Sequence, residues 1–525
     1  MKILALCALN GLLFAGMCVA EQPPMRPALA VVLVIDGLRP DSISPDVMPN
    51  LDRIKRNGVW FRNSHSVFPT VTRVNAASIS TGTLPFQHGI VSNALYIPDI
   101  SKALLNDGDY QTLVTLGRHN GGRVVGPKTI AEYFQEAGIR YVAVSSGSTG
   151  SAFLLNPMAP AGIGALFNAG LEDGRQVAFP EAQSRAILSR FGPVKADSAN
   201  PPVAWTERVL REYIFDALHP QVLVDWMGQP DEAQHAHGVG SPEALAALRL
   251  IDRQIGLLLE RLREMGLEAK TDLIVTCDHG FDYEPPMDTL APLRDAGLRA
   301  DDVVVDNEGG TSLLYVRDRA AEKIKRVVTR LQASESTNAI FVAAKAPTGG
   351  QIQCSSGAVK GFLPGTLALD FIYQCLPSHG PDIIVTYRWE DKANPFGVPG
   401  TQWVPGALAA GQTTAHSGHG ALNPYTTHST LMASGPDFEQ HTTVDLPAGN
   451  QDIAPTLLAL EGLPVPASMD GRVLAEALKG HAGVRQAHAV AKRVEARTGT
   501  YCAEIEVSEL GRRRYLDQAR RCSTR

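Results

Sequence analysis

Seven residues whose side chains could bind metal are scattered along this chain: Asp36, Thr72, Asp231, His235, Asp278, His279 and His419. Most follow short apolar runs that read as buried strands, so remote positions would meet at one edge of a sheet. Asp231 and His235 are four apart, which puts both on one side of a helical turn. Asp278 and His279 are adjacent. Mixed carboxylate and imidazole donors suit zinc, with manganese or iron as further options. A threonine among such ligands fits an activated nucleophile, because its hydroxyl is weak until a cation holds it as the alkoxide. The order and spacing are those a two-metal phosphoester hydrolase would need.

The elements that must position these residues are legible. Val31-Val32-Leu33-Val34-Ile35 is a continuous β-branched run that ends in Asp36-Gly37. Pro49 to Asn57 reads as a short helix closed by Gly58, and Thr129 to Ala137 as another closed by Gly138. Strands are expected at Tyr141 to Val144, Val222 to Val224 and Leu273 to Thr276, the last running straight into Asp278-His279. Between them, Ser241 as N-cap starts a helix with Leu245, Leu248, Ile251, Ile255, Leu258 and Leu262 along one face, stopped by Gly266. A further helix lies near Gln451 to Leu460. Strands alternating with amphipathic helices predict an α/β fold: a mainly parallel central sheet with helices on both faces. Sites in such sheets form beyond the carboxyl ends of the strands, where Asp36 and Asp278-His279 stand. Residues from about 335 to 412 break this rhythm and read as a cap insertion in a single catalytic domain over 21–525. The extension from about 480 reads as helical and basic, then alternates from Tyr501 to Val507.

Composition narrows the setting. With 44% hydrophobic and 19% charged residues the chain is a folded protein, and its net charge of -6 argues against a nucleic-acid duplex as partner. Lys2, the apolar stretch Ile3 to Met17 and the small-residue site Cys18-Val19-Ala20 read as a secretory signal peptide over residues 1–20. No other stretch has the roughly 18 continuous apolar residues of a spanning helix. A periplasmic or secreted protein without stable membrane insertion is expected. In that oxidising setting Cys354 with Cys375 and Cys502 with Cys522 are the economical pairings, with Cys277 left as a free thiol in a strand.

Read together, several segments resemble the nucleotide pyrophosphatase/phosphodiesterase group of the alkaline phosphatase superfamily. They are Val34-Ile35-Asp36-Gly37-Leu38-Arg39-Pro40-Asp41, Phe68-Pro69-Thr70-Val71-Thr72, Ser80-Thr81-Gly82 and His88-Gly89-Ile90-Val91-Ser92-Asn93. Pro230-Asp231 through His235, Asp278-His279-Gly280, His419-Gly420 and Gln451 to Leu458 continue the pattern. The resemblance implies two zinc sites, one held by Asp231, His235 and His419, the other by Asp36, Asp278, His279 and the Thr72 hydroxyl. It implies Thr72 rather than Thr70 as nucleophile, in-line attack through a phosphothreonine, and Asn93 as a donor to a phosphoryl oxygen. His416 stands in reserve for His419, while His237 and His428 read as surface or supporting groups. Glu232, Asp41 and Asp282 read as solvated or capping carboxylates.

Two departures bear on substrate. Nucleotide-cleaving relatives often carry an aromatic residue after the nucleophile; here it is Arg73, which would either grip an anionic group of the substrate or pair with a nearby carboxylate. Monoesterases of the superfamily usually add a Lys/Arg pair after a strand like Tyr141 to Val144, whereas this chain has Ser145-Ser146-Gly147-Ser148-Thr149-Gly150. A small-molecule phosphodiester or pyrophosphate is therefore the expected substrate. A phosphomonoesterase or phosphonate hydrolase of the same superfamily is the enzymatic alternative. A metal-stabilised anion-binding protein on a retired hydrolase scaffold is the non-enzymatic one.

Overall fold

The computed structural model describes residues 27–172, 175–194, 202–287, 302–405, 416–481, 483–484 and 487–522. The expected signal peptide at 1–20 lies outside them.

A nine-stranded sheet organises the fold, in the order Thr442–Val444, Val59–Phe61, Leu431–Ser434, Thr271–Thr276, Leu29–Ile35, Val222–Met227, Tyr141–Ser145, Ala165–Glu172, Arg175–Phe179. The strands from Thr271–Thr276 to Ala165–Glu172 are mutually parallel; Leu431–Ser434 and Arg175–Phe179 pair antiparallel at its flanks. Leu29–Ile35 is buried along its whole length because alternate side chains enter two cores. Ala30, Val32 and Val34 join one with Val74 and Ile79 of the helix Thr72–Thr81, while Val31, Leu33 and Ile35 join the other with Ile251, Ile255 and Leu258 of the helix Pro242–Glu264. Helices thus cover both faces, as the alternation of elements predicts. The long helix starts where expected, with the Ser241 hydroxyl accepting from the Ala244 N–H at 3.1 Å.

A second sheet orders Val303–Glu308, Thr311–Val316, Ile383–Tyr387, Thr337–Val342 and Leu367–Ala368, with the helix Ala321–Ala333 against it. Much of the Gly- and Pro-rich 335–412 stretch enters this sheet, whose first two strands precede it. A smaller sheet orders Trp389–Ala393, Pro399–Gln402, Asp282–Glu284 and His416–Gly418.

The C-terminal extension is an antiparallel meander of Val490–Thr498, Tyr501–Leu510 and Arg513–Arg521, which corrects the helical reading of its first part. Charge composition suggested a helix there, but pairing sets Arg493 against Glu504 and Glu506 across the strands and turns Ala496, Ile505 and Leu516 into the core. Both expected disulfides form, Cys354–Cys375 and Cys502–Cys522, and Cys277 is a buried free thiol. Among the described residues no helix is long and apolar enough to cross a membrane.

Candidate metal centre and nucleophile

Three adjacent parallel strands deliver carboxylates to one rim of the central sheet. Asp36 follows Leu29–Ile35, Asp231 opens the short helix Asp231–His237 after Val222–Met227, and Asp278-His279 follows Thr271–Thr276. The turn after Asp36 needs Gly37. Its φ is +73°, a Cβ there would press on Gln234 and Phe281 at 3.0 Å, and its N–H donates to Asp278 Oδ1 at 3.1 Å. His419 arrives by another route. Asp282–Glu284 continues from His279 and pairs antiparallel with His416–Gly418, so the return strand drops His419 beside His279. The two imidazoles stack with centroids 3.6 Å apart.

Each of the three imidazoles is held the same way. His235 Nδ1 lies 3.0 Å from the Ser417 carbonyl, His279 Nδ1 3.0 Å from that of Gly280, and His419 Nδ1 3.1 Å from that of Thr70. A carbonyl only accepts, so Nδ1 carries a hydrogen and Nε2 is turned inward. There it meets carboxylates. Asp231 Oδ1 lies 3.4 Å from His235 Nε2, 3.7 Å from His419 Nε2 and 4.0 Å from His279 Nε2. His279 Nε2 is also 3.0 Å from Asp278 Oδ2 and 3.5 Å from Asp36 Oδ1.

Asp36 Oδ1, Asp231 Oδ1 and Asp278 Oδ2 are buried and accept no hydrogen bond. Burying three carboxylates together is costly without positive charge among them. The protonation equilibria record that conflict. Burial, then the charges of Asp278 and Asp231, push Asp36 well above the usual carboxylate range. Against burial, the His235, His419 and His279 rings hold Asp231 below it. Burial, with His279 close by, pushes His419 well below the usual imidazole value. Carbonyl-backed imidazoles facing orphaned carboxylate oxygens are the donor set that zinc-type cations take. The residues present fit such ions, and ligand atoms of Asp231, His235 and His419, and of Asp36, Asp231 and His279, lie within 4.8 Å of one another.

Thr72 opens the buried helix Thr72–Thr81, and its Oγ1 lies 3.3 Å from His279 Nε2. Thr70 is committed elsewhere: its hydroxyl donates to the Ala421 carbonyl at 2.9 Å and accepts from the Gly420 N–H at 3.1 Å. Asn93 accepts the Arg73 N–H at 3.0 Å through Oδ1, which identifies the amide oxygen and turns Nδ2 the other way. The Asn93 N–H donates to Glu308 Oε1 at 3.0 Å, so the edge strand of the second sheet fixes this residue. The hairpin turn beyond Glu308 leans on the centre as well, since a Cβ on Gly309 would sit 2.0 Å from the His419 carbonyl oxygen. Arg73 has its Nε 3.9 Å from Asp107 Oδ1 without a hydrogen bond; burial pushes Asp107 up to about 8 although Arg73 opposes it.

The remaining expectations divide. The backbone of His416 lies on the return strand, whereas its side chain is outside the described residues. His237 is exposed. His428 is not a surface group: it packs beside His65, away from this cluster, with ring centroids 5.0 Å apart. Asp282 is not solvated either; it is fully buried, accepts from Asn423, and burial raises it to about 8. The sequence reading missed Trp226, whose indole N–H donates to Asp36 Oδ2 at 2.9 Å, and Asn450, whose amide donates to the Asp278 carbonyl at 3.1 Å. Trp226 had a usable signal, the strand ending just short of Asp231. Asn450 had none.

Comparison with known proteins fits this geometry. The profile of the family described as Type I phosphodiesterase / nucleotide pyrophosphatase matches residues 30–389, and the chain belongs to that family. Mouse ectonucleotide pyrophosphatase/phosphodiesterase family member 1 is 26% identical over 270 residues, covering 50% of this chain and 24% of that protein. Venom phosphodiesterase 2 of Crotalus adamanteus is 25% identical over 280 residues, covering 53% of this chain and 29% of its own. The chain thus spans only about a quarter of the curated relatives it matches. The fold is that of murine ectonucleotide pyrophosphatase/phosphodiesterase 5, solved in an inactive form with AMP: TM-score 0.56, 16% identity, 83% of this chain and 96% of that one.

Proposed function

We propose that this protein is a metal-dependent phosphodiesterase or nucleotide pyrophosphatase, secreted or periplasmic, that works through a phosphothreonine on Thr72. The observation that carries the reading is the trio of carbonyl-backed imidazoles turned toward three buried, unpartnered carboxylate oxygens, with the Thr72 hydroxyl at their edge. Asp231, His235 and His419 would hold one zinc-type ion, and Asp36, Asp278, His279 and Thr72 the other. When bound, such a pair supplies Lewis-acid stabilisation of negative charge on the attacking, non-bridging and departing oxygens.

The chain's own residues do the rest. Thr72 sits at a helix N-terminus, where the backbone dipole favours the negative charge its oxygen must carry. It attacks phosphorus in line with the leaving group, and water then cleaves the resulting ester. Asn93 offers Nδ2 to a phosphoryl oxygen, held in that sense by the Arg73 N–H on its carbonyl. The Arg73 guanidinium, long and unbonded in its approach to Asp107, is the residue we assign to an anionic group of the substrate. The loop from Ser145 to Gly150 supplies no cation for a second phosphate charge; Ser146 Oγ accepts from the Gly228 N–H and Ser148 caps the helix Thr149–Leu155. That favours diesters over monoesters. The two disulfides and the expected signal peptide support export, and we treat the exported chain as one catalytic domain carrying a cap insertion and a C-terminal extension.

Thr72→Ala is the direct test. Turnover of a chromogenic phosphodiester should fall by about 10⁴-fold or more while bound zinc is retained. Activity near the native level would sink the nucleophile assignment. A monoester of the same leaving group should be the slower substrate of the native enzyme.

A further inference from the structure

Away from the cluster around Asp231, a pair of histidines meets a carboxylate. His65 ends the short strand Ser64–His65, which pairs with Ala448–Gly449, and its side chain is 2% exposed. Its Nδ1 lies 3.0 Å from the Ala448 carbonyl and must carry the hydrogen. Its Nε2 lies 2.8 Å from Asp517 Oδ1 on the strand Arg513–Arg521, close enough for a proton or a metal ion to join the two. His428 completes the group. Its backbone bridges that of His65, and one ring nitrogen from each histidine and one Asp517 oxygen all lie within 4.8 Å of one another.

A proton on His65 would satisfy Asp517 alone. It would leave the inward nitrogen of His428 beside a cation and unused. A single divalent ion would engage all three groups. Ser508 Oγ, 3.2 and 3.1 Å from the two Asp517 oxygens, would orient the carboxylate from behind. A cavity of about 20 Å³ adjoins His65, enough for one water.

We propose that His65, His428 and Asp517 form a further site for a zinc-type divalent ion, separate from the centre at Asp231, which fastens the C-terminal sheet to the strand leading into the Thr72 loop. Two imidazoles and one carboxylate exclude calcium and magnesium, which take oxygen ligands. Ligand atoms about 2.0–2.1 Å from a tetrahedral zinc lie roughly 3.3 Å apart, so Asp517 would move about 0.5 Å from His65 on binding. The site spans the family boundary: His65 lies within the matched residues 30–389, His428 and Asp517 beyond them.

Zinc would be counted by elemental analysis after loading and gel filtration, for the native protein, Asp517→Asn, His428→Gln, Asp231→Asn and the Asp231→Asn/Asp517→Asn double variant. Asp517→Asn and His428→Gln should each lose one equivalent, and the double variant one fewer than Asp231→Asn. Because the count is read as a difference, it stands whether or not the centre at Asp231 holds two ions. Native crystals grown from zinc-loaded protein avoid the risk that a variant misfolds; an anomalous peak at the zinc edge should lie between the two imidazoles. Ordered rings with no peak overturn the proposal, as does an Asp517→Asn protein that keeps the full native complement.

Discussion

The two histidine clusters are built by one device and differ in charge. At both, a backbone carbonyl takes the Nδ1 hydrogen of an imidazole and turns its other nitrogen toward a carboxylate. The cluster around Asp231 gathers three carboxylates with orphaned oxygens, and His235 leaves it open on one side with 45% of its side chain exposed. The cluster around His65 has one carboxylate, already supported by Ser508, and lies between two sheets. Three uncompensated carboxylates call for more than one cation and for access to a substrate. One carboxylate calls for a single cation and no access. On the two proposals made above, the difference separates a centre for chemistry from a clasp.

That contrast breaks most readily at Asp231, whose Oδ1 faces all three imidazoles. Asp231→Asn should cut diester turnover by roughly 10³-fold, on the scale of losing a preorganised electrostatic contact, whereas Asp517→Asn should leave the steady-state rate near native and lower the melting temperature. Equal losses from the two variants would erase the distinction. Asn93→Ala should cost about 10²-fold in kcat with bound zinc unchanged, because it removes a donor and no ligand. Supporting contacts should act through affinity instead. Trp226→Phe deletes the hydrogen bond to Asp36, and zinc should then bind roughly 10- to 100-fold more weakly, with activity recovering at excess metal.

The smallest effect belongs to a carboxyl pair with no imidazole beside it. Glu207 and Asp225 are fully buried and face each other, and burial raises both, Asp225 to about 7. The folded protein thus keeps protons that the unfolded chain releases near pH 4, so this contribution to stability is present in acid and lost as pH rises through about 7. The melting temperature should fall between pH 6 and 8, and Glu207→Gln should flatten that slope by roughly 1–3 °C. An unchanged slope would mean the pair does not share a proton.

Legibility followed locality. Asp36, Asp278 and His279 could be read because each follows an unbroken apolar run, and the parallel sheet places the ends of such runs together. Asp231 and His235 could be read from their spacing on one helical turn. His419 needed the antiparallel return of His416–Gly418 onto Asp282–Glu284, a pairing that leaves no periodic trace in the sequence. The same holds for Asp282, which looks like a loop carboxylate until the smaller sheet buries it. The extension misled because a strand and an exposed helix tolerate the same charged residues, and only the partner strand Tyr501–Leu510 decides between them.

The sequence by itself determined the sheet type and the family and proposed the nucleophile segment and most of the expected ligand set, because local hydrophobic patterning fixes which residues stand at strand ends. Tertiary structure alone decided that Thr70 is spoken for by backbone groups while Thr72 faces His279, and that Glu308 holds Asn93. It alone brought His65 to Asp517 across 452 positions. Direction is the reason. A sequence names a donor, but which way its lone pair points depends on a carbonyl supplied by another part of the fold.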